Sequence, residues 1–360
     1  MSQPHVFNLT VVNFGIVVRS TLFSIWAYGF ALTNVAWAGF SERANIKMRI
    51  SFVLQTYRSP DQIGRLVDIL NRGCPDSLIV IAHSGPLDGL AQLVRERRVA
   101  GVLPAVPGRG GFSLVDSYLS ALRWLRQQNM PYDWVVLLSE QDYPIRPLQE
   151  FFATLERSDV DGYFYFFDPS NEGSETRRPM VWPPGEWKDR YLFHYRSLKN
   201  ELSTIERALL RLPRKAMSLT RNHRLRTSFG LALGRRVDPV PFSPDFRLYA
   251  GSSWPTIRRE CGEALLDFVE ERPDVVEYFR HVILPSEAFV PTVLLNKKTF
   301  RISPHELRYF DFSDGRHGFS KILGPADLEA AFASRCFFGR KFDLSVHPRI
   351  LDVLDARALG

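Results

Sequence analysis

Cysteine is scarce in this 360-residue chain, which has three, at Cys74, Cys261 and Cys336. An odd, widely spaced set makes neither a disulfide framework nor a zinc site, so a reducing compartment is the simpler expectation. The GxxxxGK[ST] phosphate loop, the HExxH metalloprotease helix and the Gly-x-Ser-x-Gly nucleophile elbow are all missing. Gly108-Arg109-Gly110-Gly111 follows no clear strand and lacks GxGxxG spacing, so it reads as a turn rather than a dinucleotide site. Internal repeats and low-complexity tracts are absent too, which excludes solenoids. With 45% hydrophobic and 24% charged residues, neither a disordered chain nor a polytopic membrane protein fits.

What is present suits one large domain or two closely joined ones. The net charge is +7, an excess that fits an anionic partner or simply a basic surface. Residues 1–47 form an apolar segment apart from the rest. Its uncharged stretch Ser20–Phe40 has about the 20 residues needed to cross a bilayer, diluted by hydroxyls and Asn34. A membrane anchor is one reading; a start at Met48, with the segment untranslated, is another. A signal peptide fits less well, for want of a basic n-region. The sequon Asn8-Leu9-Thr10 falls in this segment. Residues 48–354 then read as the catalytic domain and 355–360 as a tail, in a protein that is cytoplasmic or membrane-associated.

From Arg49 onward apolar runs alternate with amphipathic stretches. Ile50–Leu54, Leu78–Ala82 and Trp134–Leu138 read as three buried strands. Pro60–Asn71, Gly85–Arg97 and Ser113–Gln128 read as helices between them. This spacing predicts an α/β fold with a mostly parallel central sheet covered by helices on both faces. Such sheets bind ligands beyond the carboxyl ends of their strands, which directs attention to His83 and to Ser139–Asp142. After Tyr163–Phe167 the chain becomes rich in Pro, Gly and charge over 168–190, a predicted loop. Arg207–Arg226 is strongly basic, Ala264–Arg280 reads as one helix, and Ala326–Ser334 as a short one.

Three places could carry chemistry. The strand ending Ser139-Glu-Gln-Asp142 sets acidic and amide groups where a ribose, an acceptor hydroxyl or a metal could meet them; alternatively Asp142 caps the next helix. Glu287, between Pro285 and an apolar run, is a partly desolvated general base or a helix N-terminal glutamate. Arg340 and Lys341, set among aromatics, neutralise a diphosphate or form an exposed basic pair. Asp159-Val-Asp161 precedes a strand and reads as a turn.

In order, these segments resemble the core-2/I-branching β-1,6-N-acetylglucosaminyltransferase family, which includes the peptide O-xylosyltransferases. The resemblance runs from Ile50-Ser-Phe-Val-Leu-Gln-Thr-Tyr-Arg58 through Val80-Ile-Ala-His83, Gly111-Phe-Ser-Leu-Val-Asp116 and Leu138-Ser-Glu-Gln-Asp-Tyr-Pro-Ile145. It continues in Tyr249-Ala-Gly-Ser-Ser-Trp254, Leu284-Pro-Ser-Glu-Ala-Phe289, Leu307-Arg-Tyr-Phe-Asp311 and Phe338-Gly-Arg-Lys-Phe-Asp343. It implies a GT-A-like fold and inverting transfer from a UDP-sugar to a carbohydrate or glycoconjugate hydroxyl, with N-acetylglucosamine favoured over xylose. It assigns Glu287 as base and Lys341, with Arg340, to the leaving diphosphate. His83, Asp142 and either Lys321 or Arg316 fall at the donor, and Trp254, Ser252 and Glu140 at the acceptor. No cofactor and no metal are expected, although Glu140 and Asp142 together could hold a divalent cation. Two features depart from the family: Ser286 before the base, and Glu140 before the Gln-Asp pair. The scarcity of cysteine points to a bacterial-type member.

Two other readings stay open. One is a non-catalytic nucleotide- or carbohydrate-binding protein of the same fold. The other is a membrane-surface or nucleic-acid module built on Arg207–Arg226, although that segment lacks the interleaved aromatics of base-stacking platforms. Nucleic acid is therefore not an expected partner, whereas membrane association stays open.

Overall fold

The computed structural model describes residues 48–108, 111–171, 185–228, 230–313 and 320–360. The 1–47 segment with its sequon, Arg109 and Gly110 of the glycine-rich run, most of the 168–190 loop, and Arg316 lie outside them.

The apolar runs form the middle of a seven-stranded sheet. Its first elements are β1 (Ile50–Thr56), α1 (Pro60–Gly73), β2 (Leu78–His83), α2 (Asp88–Glu96), β3 (Gly101–Pro104), α3 (Ser113–Gln127) and β4 (Trp134–Ser139). The sheet order is Ile302–Ser303, Gly162–Tyr163, Thr256–Arg258, β4, β1, β2, β3. β1 runs parallel to β2 and β4, and β2 to β3. Thr256–Arg258 is antiparallel to both its neighbours, so the sheet is mixed but mostly parallel.

Strand side chains alternate between two cores. Phe52, Ile79, Ile81, Val136 and Leu138 pack with α1, α2 and the helices Leu148–Glu156, Leu328–Ala333 and Ile350–Leu359. Val53, Val80, Val135 and Leu137 pack on the other face with α3, Arg259–Glu271, Pro273–Arg280 and Phe289–Asn296. Because both faces are dry, the strands read as unbroken apolar runs rather than alternating ones. Each fully buried Leu, Ile or Phe contributes about 1.5–3 kcal/mol.

Several expectations need correction. β3 is a fourth strand that four residues were too few to announce, which makes Trp134–Ser139 fourth rather than third. Pro273 splits the expected Ala264–Arg280 helix, because it cannot donate a backbone hydrogen bond; it starts a new helix instead. Residues 355–360 are not a separate tail, since Ile350–Leu359 is one helix with Leu354 and Ala358 buried and Asp355 2.6 Å from Arg65 of α1. The basic stretch is built of several elements. It comprises helices Thr204–Leu209 and Arg211–Ser218 and the strand His223–Arg226, which joins Leu231–Arg236 and Phe193–Lys199 in a separate antiparallel sheet.

Candidate active site

The carboxyl ends of β1, β2 and β4 converge, and most of the sequence-derived candidates gather around them. Thr56 and His83 end adjacent strands in register, with Thr56 Oγ1 2.8 Å from His83 Nδ1. Burial lowers the His83 pKa, which favours the neutral imidazole.

Past β4 the chain turns sharply, and Asp142 folds back onto it. Its Oδ2 accepts hydrogen bonds from the Ser139 N–H at 2.7 Å and the Ser139 hydroxyl at 2.6 Å. Asp142 therefore closes its own turn rather than capping a helix. It is fully buried, and Arg308 Nε lies 3.1 Å from its Oδ1 and Arg340 Nη1 3.7 Å from its Oδ2. Arg308 is locked further by donating to the Trp254 carbonyl at 2.7 Å and the Leu137 carbonyl at 2.6 Å. The Arg340 guanidinium lies 3.7 Å above the Trp254 ring. Glu140, also buried, has its pKa raised by desolvation, partly offset by backbone N–H groups and by Arg340. Asp142 thus faces guanidinium groups. Among the described residues no cluster of three or more His, Cys, Asp or Glu is disposed to hold a metal.

Glu306 joins this cluster unannounced by the sequence. It is buried, its Oε2 has no hydrogen-bond partner, and desolvation pushes its pKa up to about 7 against the pull of Ser252, Arg308 and Arg340. A lone acid in a short loop between Ile302–Ser303 and Arg308–Tyr309 gave no signal beyond its two-residue spacing from Arg308.

Ser252 and Trp254 are brought here by a close backbone approach. Ala250–Gly251 pairs with Phe166–Phe167, and a Cβ on Gly251 would sit 1.9 Å from the Tyr165 carbonyl. Only glycine fits there. The Ser252 N–H then donates to the Tyr165 carbonyl at 2.9 Å, and the Ser252 hydroxyl accepts from the Trp254 N–H at 3.2 Å.

Glu287 ends the 3-10 turn Pro285–Glu287, entered through Leu284 at φ +51°, a left-handed conformation uncommon for leucine. Tertiary contacts hold the turn: Tyr191 Oη donates to the Leu284 carbonyl at 3.2 Å, and Ser253 Oγ donates to Ser286 Oγ at 3.0 Å. Glu287 Oε2 accepts from Arg190 Nη1 at 2.6 Å. Burial raises the Glu287 pKa, and Arg190 opposes that rise. Arg190 also pairs with Glu186 at 2.9 Å, which in turn meets Arg226 at 2.8 Å. The sequence concealed Arg190 because it stands in the stretch read as a loop; the structure makes it part of the helix Glu186–Tyr191.

The segment Phe338–Asp343 lies across the strand ends. The Phe342 N–H donates to the Gln141 carbonyl at 2.9 Å, and the amide of buried Gln62 donates to the Glu140 and Phe342 carbonyls at 2.6 and 3.0 Å. The half-buried Lys341 follows Arg340 directly, and its carbonyl accepts from Leu323 N–H at 2.7 Å. Lys321 is differently employed: its ammonium sits 2.9 Å from Asp311 and 2.6 Å from Asp327, which raise its pKa. Asp159 and Asp161 are turn residues as expected, with Arg301 2.8 Å from Asp159 and its N–H donating to Asp161 at 2.8 Å.

No protein-family model and no curated protein matches the chain. Among solved structures, apo mouse xyloside xylosyltransferase 1 is 11% identical, with 81% of this chain and 97% of that one covered at a TM-score of 0.33. A 4-diphosphocytidyl-2C-methyl-D-erythritol synthase from Anaerococcus prevotii is 9% identical over 80% of this chain and 96% of its own, also at 0.33. A cytidylyltransferase from Leptospira borgpetersenii is 14% identical over 33% of this chain, which spans only 54% of that protein, at 0.23. Likeness at such scores carries no weight for function; the α/β architecture rests on the sheet order and the two cores.

Proposed function

We propose that this chain is an inverting glycosyltransferase of GT-A-like fold that moves N-acetylglucosamine from a UDP-sugar to a carbohydrate hydroxyl. One observation carries the reading: the segment Ser252–Trp254 touches both halves of the required chemistry. Ser253 hydrogen-bonds Ser286, next to Glu287, while Trp254 stacks beneath Arg340, next to Lys341. The residue before Glu287 and the first residue of the cationic pair therefore both contact one short segment at the carboxyl end of a parallel sheet, where such folds bind ligands.

In this mechanism Glu287 takes the proton from the acceptor hydroxyl as its oxygen attacks the anomeric carbon. The bond from that carbon to the β-phosphate oxygen breaks, and its electron pair leaves with UDP. Desolvation makes Glu287 a stronger base, and Arg190 keeps it ionised and oriented. Lys341 meets the departing charge. Arg340, fixed between Asp142 and Trp254, sets the local potential, the kind of preorganised stabilisation that acts without reorganisation. Lys321, already between two aspartates, has its counter-charges supplied by the protein rather than by the diphosphate.

Glu287→Gln is the test. Transfer should fall by on the order of 10²–10⁴, as for loss of a general base, with UDP binding by calorimetry nearly unchanged. Full transfer in this variant would remove Glu287 from the mechanism. A thermal-shift screen with UDP-sugars separates N-acetylglucosamine from xylose as donor.

A further inference from the structure

The charge excess of this protein has an address. Residues 196–226 hold nine Lys or Arg against two Asp or Glu, an excess of seven that equals the +7 of the whole chain. The same stretch holds the four most exposed large apolar side chains among the described residues: Leu219 at 83%, Leu212 at 78%, Ile205 at 72% and Leu209 at 71%. Leu198, at 54%, stands on the adjoining strand.

Their spacing is ordered. Ile205 and Leu209 are four apart across the helix Thr204–Leu209, so they share a face. In and after the helix Arg211–Ser218, Leu212, Lys215 and Leu219 recur at three and four residues, which places the cation between two leucines. None of these apolar residues belongs to either core, so folding does not account for them. Six of the nine cations fall into two groups. Arg224 and Arg226 are bound to Asp189 and Glu186, and Arg207 donates to the Thr227 carbonyl; these fasten the protrusion to the body. Arg211, Lys215 and Arg221 extend from it, exposed.

We infer that this protrusion docks on the surface of an anionic lipid bilayer. Exposed leucines and isoleucine interspersed with cations have the composition of interfacial helices, which bury apolar side chains at the headgroup boundary while cations meet anionic lipid. Charge complementarity selects that occupant. A second copy of the chain would bring the same seven-charge excess against itself, and nucleic acid would leave the apolar side chains in water. The inference does not depend on the proposed transferase activity.

The experiment is co-sedimentation of the full chain with vesicles of equimolar phosphatidylcholine and phosphatidylserine, and with phosphatidylcholine alone. Arg211→Ala, Lys215→Ala and Arg221→Ala combined should weaken partition to the anionic vesicles by about a hundredfold. Ile205→Ser, Leu209→Ser, Leu212→Ser and Leu219→Ser combined should weaken it at least tenfold. Both sets lie on the surface, and circular dichroism unchanged from wild type verifies that they fold. Because every variant retains residues 1–47, any anchoring by that segment is common to all. Undiminished binding of both variants to anionic vesicles would overturn the inference. So would equal wild-type binding to the neutral vesicles, or light scattering showing a wild-type dimer that the serine variant converts to monomer.

Discussion

Arginine does opposite work in two regions of this molecule. At the floor of the candidate site, Arg308 and Arg340 are 4% and 7% exposed, and each is held against Asp142 and an aromatic ring. Desolvation lowers both their pKa values, and the buried carboxylates counter it. On the protrusion Arg211 and Arg221 stand in water, where salt screens them and neither matters much to the fold. A dry guanidinium is a fixed part with a defined partner. A wet one contributes to a field shared over a surface.

The contrast can be broken or sharpened by substitution. The largest effect should come from Asp142→Asn, which leaves two buried guanidiniums without their counter-charge and should cost about 3–5 kcal/mol in urea denaturation. A loss below about 1 kcal/mol would mean the cluster behaves like a surface pair.

Glu306→Gln tests the same floor from the other sign. The folded-state pKa of Glu306, about 7, lies above its ordinary 4.5, so the folded protein retains a proton that the unfolded chain releases. Its contribution is full below the ordinary value and is lost as pH rises to about 7, a total near 3 kcal/mol. The variant should therefore match wild type in strongly acidic solution and exceed it in alkaline solution. Parallel stability curves for the two proteins across that window would rule this out.

Arg190 stands between the two regimes, half in the site and half in the ladder to the protrusion. Without it the Glu287 pKa should rise further, so Arg190→Gln should move the acid limb of the transfer rate to higher pH. An unmoved limb, with only the maximal rate reduced, would reduce Arg190 to a packing role. At the other extreme, Arg211→Ala alone should change stability by no more than about 0.5 kcal/mol, because its side chain is exposed. A larger loss in thermal unfolding would erase the distinction drawn here.

Legibility followed the same division between local and distant. The strands β1, β2 and β4 were visible because burial on both faces demands an apolar residue at nearly every position, as in Leu78-Ile-Val-Ile-Ala82. Glu287 and Arg340-Lys341 were singled out from their immediate neighbours. Their true surroundings were not, because Arg190 is 97 residues from Glu287 and Arg308 is 171 from the Leu137 carbonyl that holds it. Pairs that far apart leave no periodicity, and nothing in a lone Glu306 announces that it is dry.

What the sequence determined by itself was the existence of the buried strands β1, β2 and β4 with helices between them, through apolar runs and helical spacing, and the location of the basic stretch. Tertiary structure alone decided which charges became partners and which stayed in water. The reason is physical: hydrophobic periodicity is a local property of the chain, whereas desolvation depends on everything that folds around a side chain. The same amino acid therefore yields a buried fixture at Arg308 and a solvated cation at Arg211.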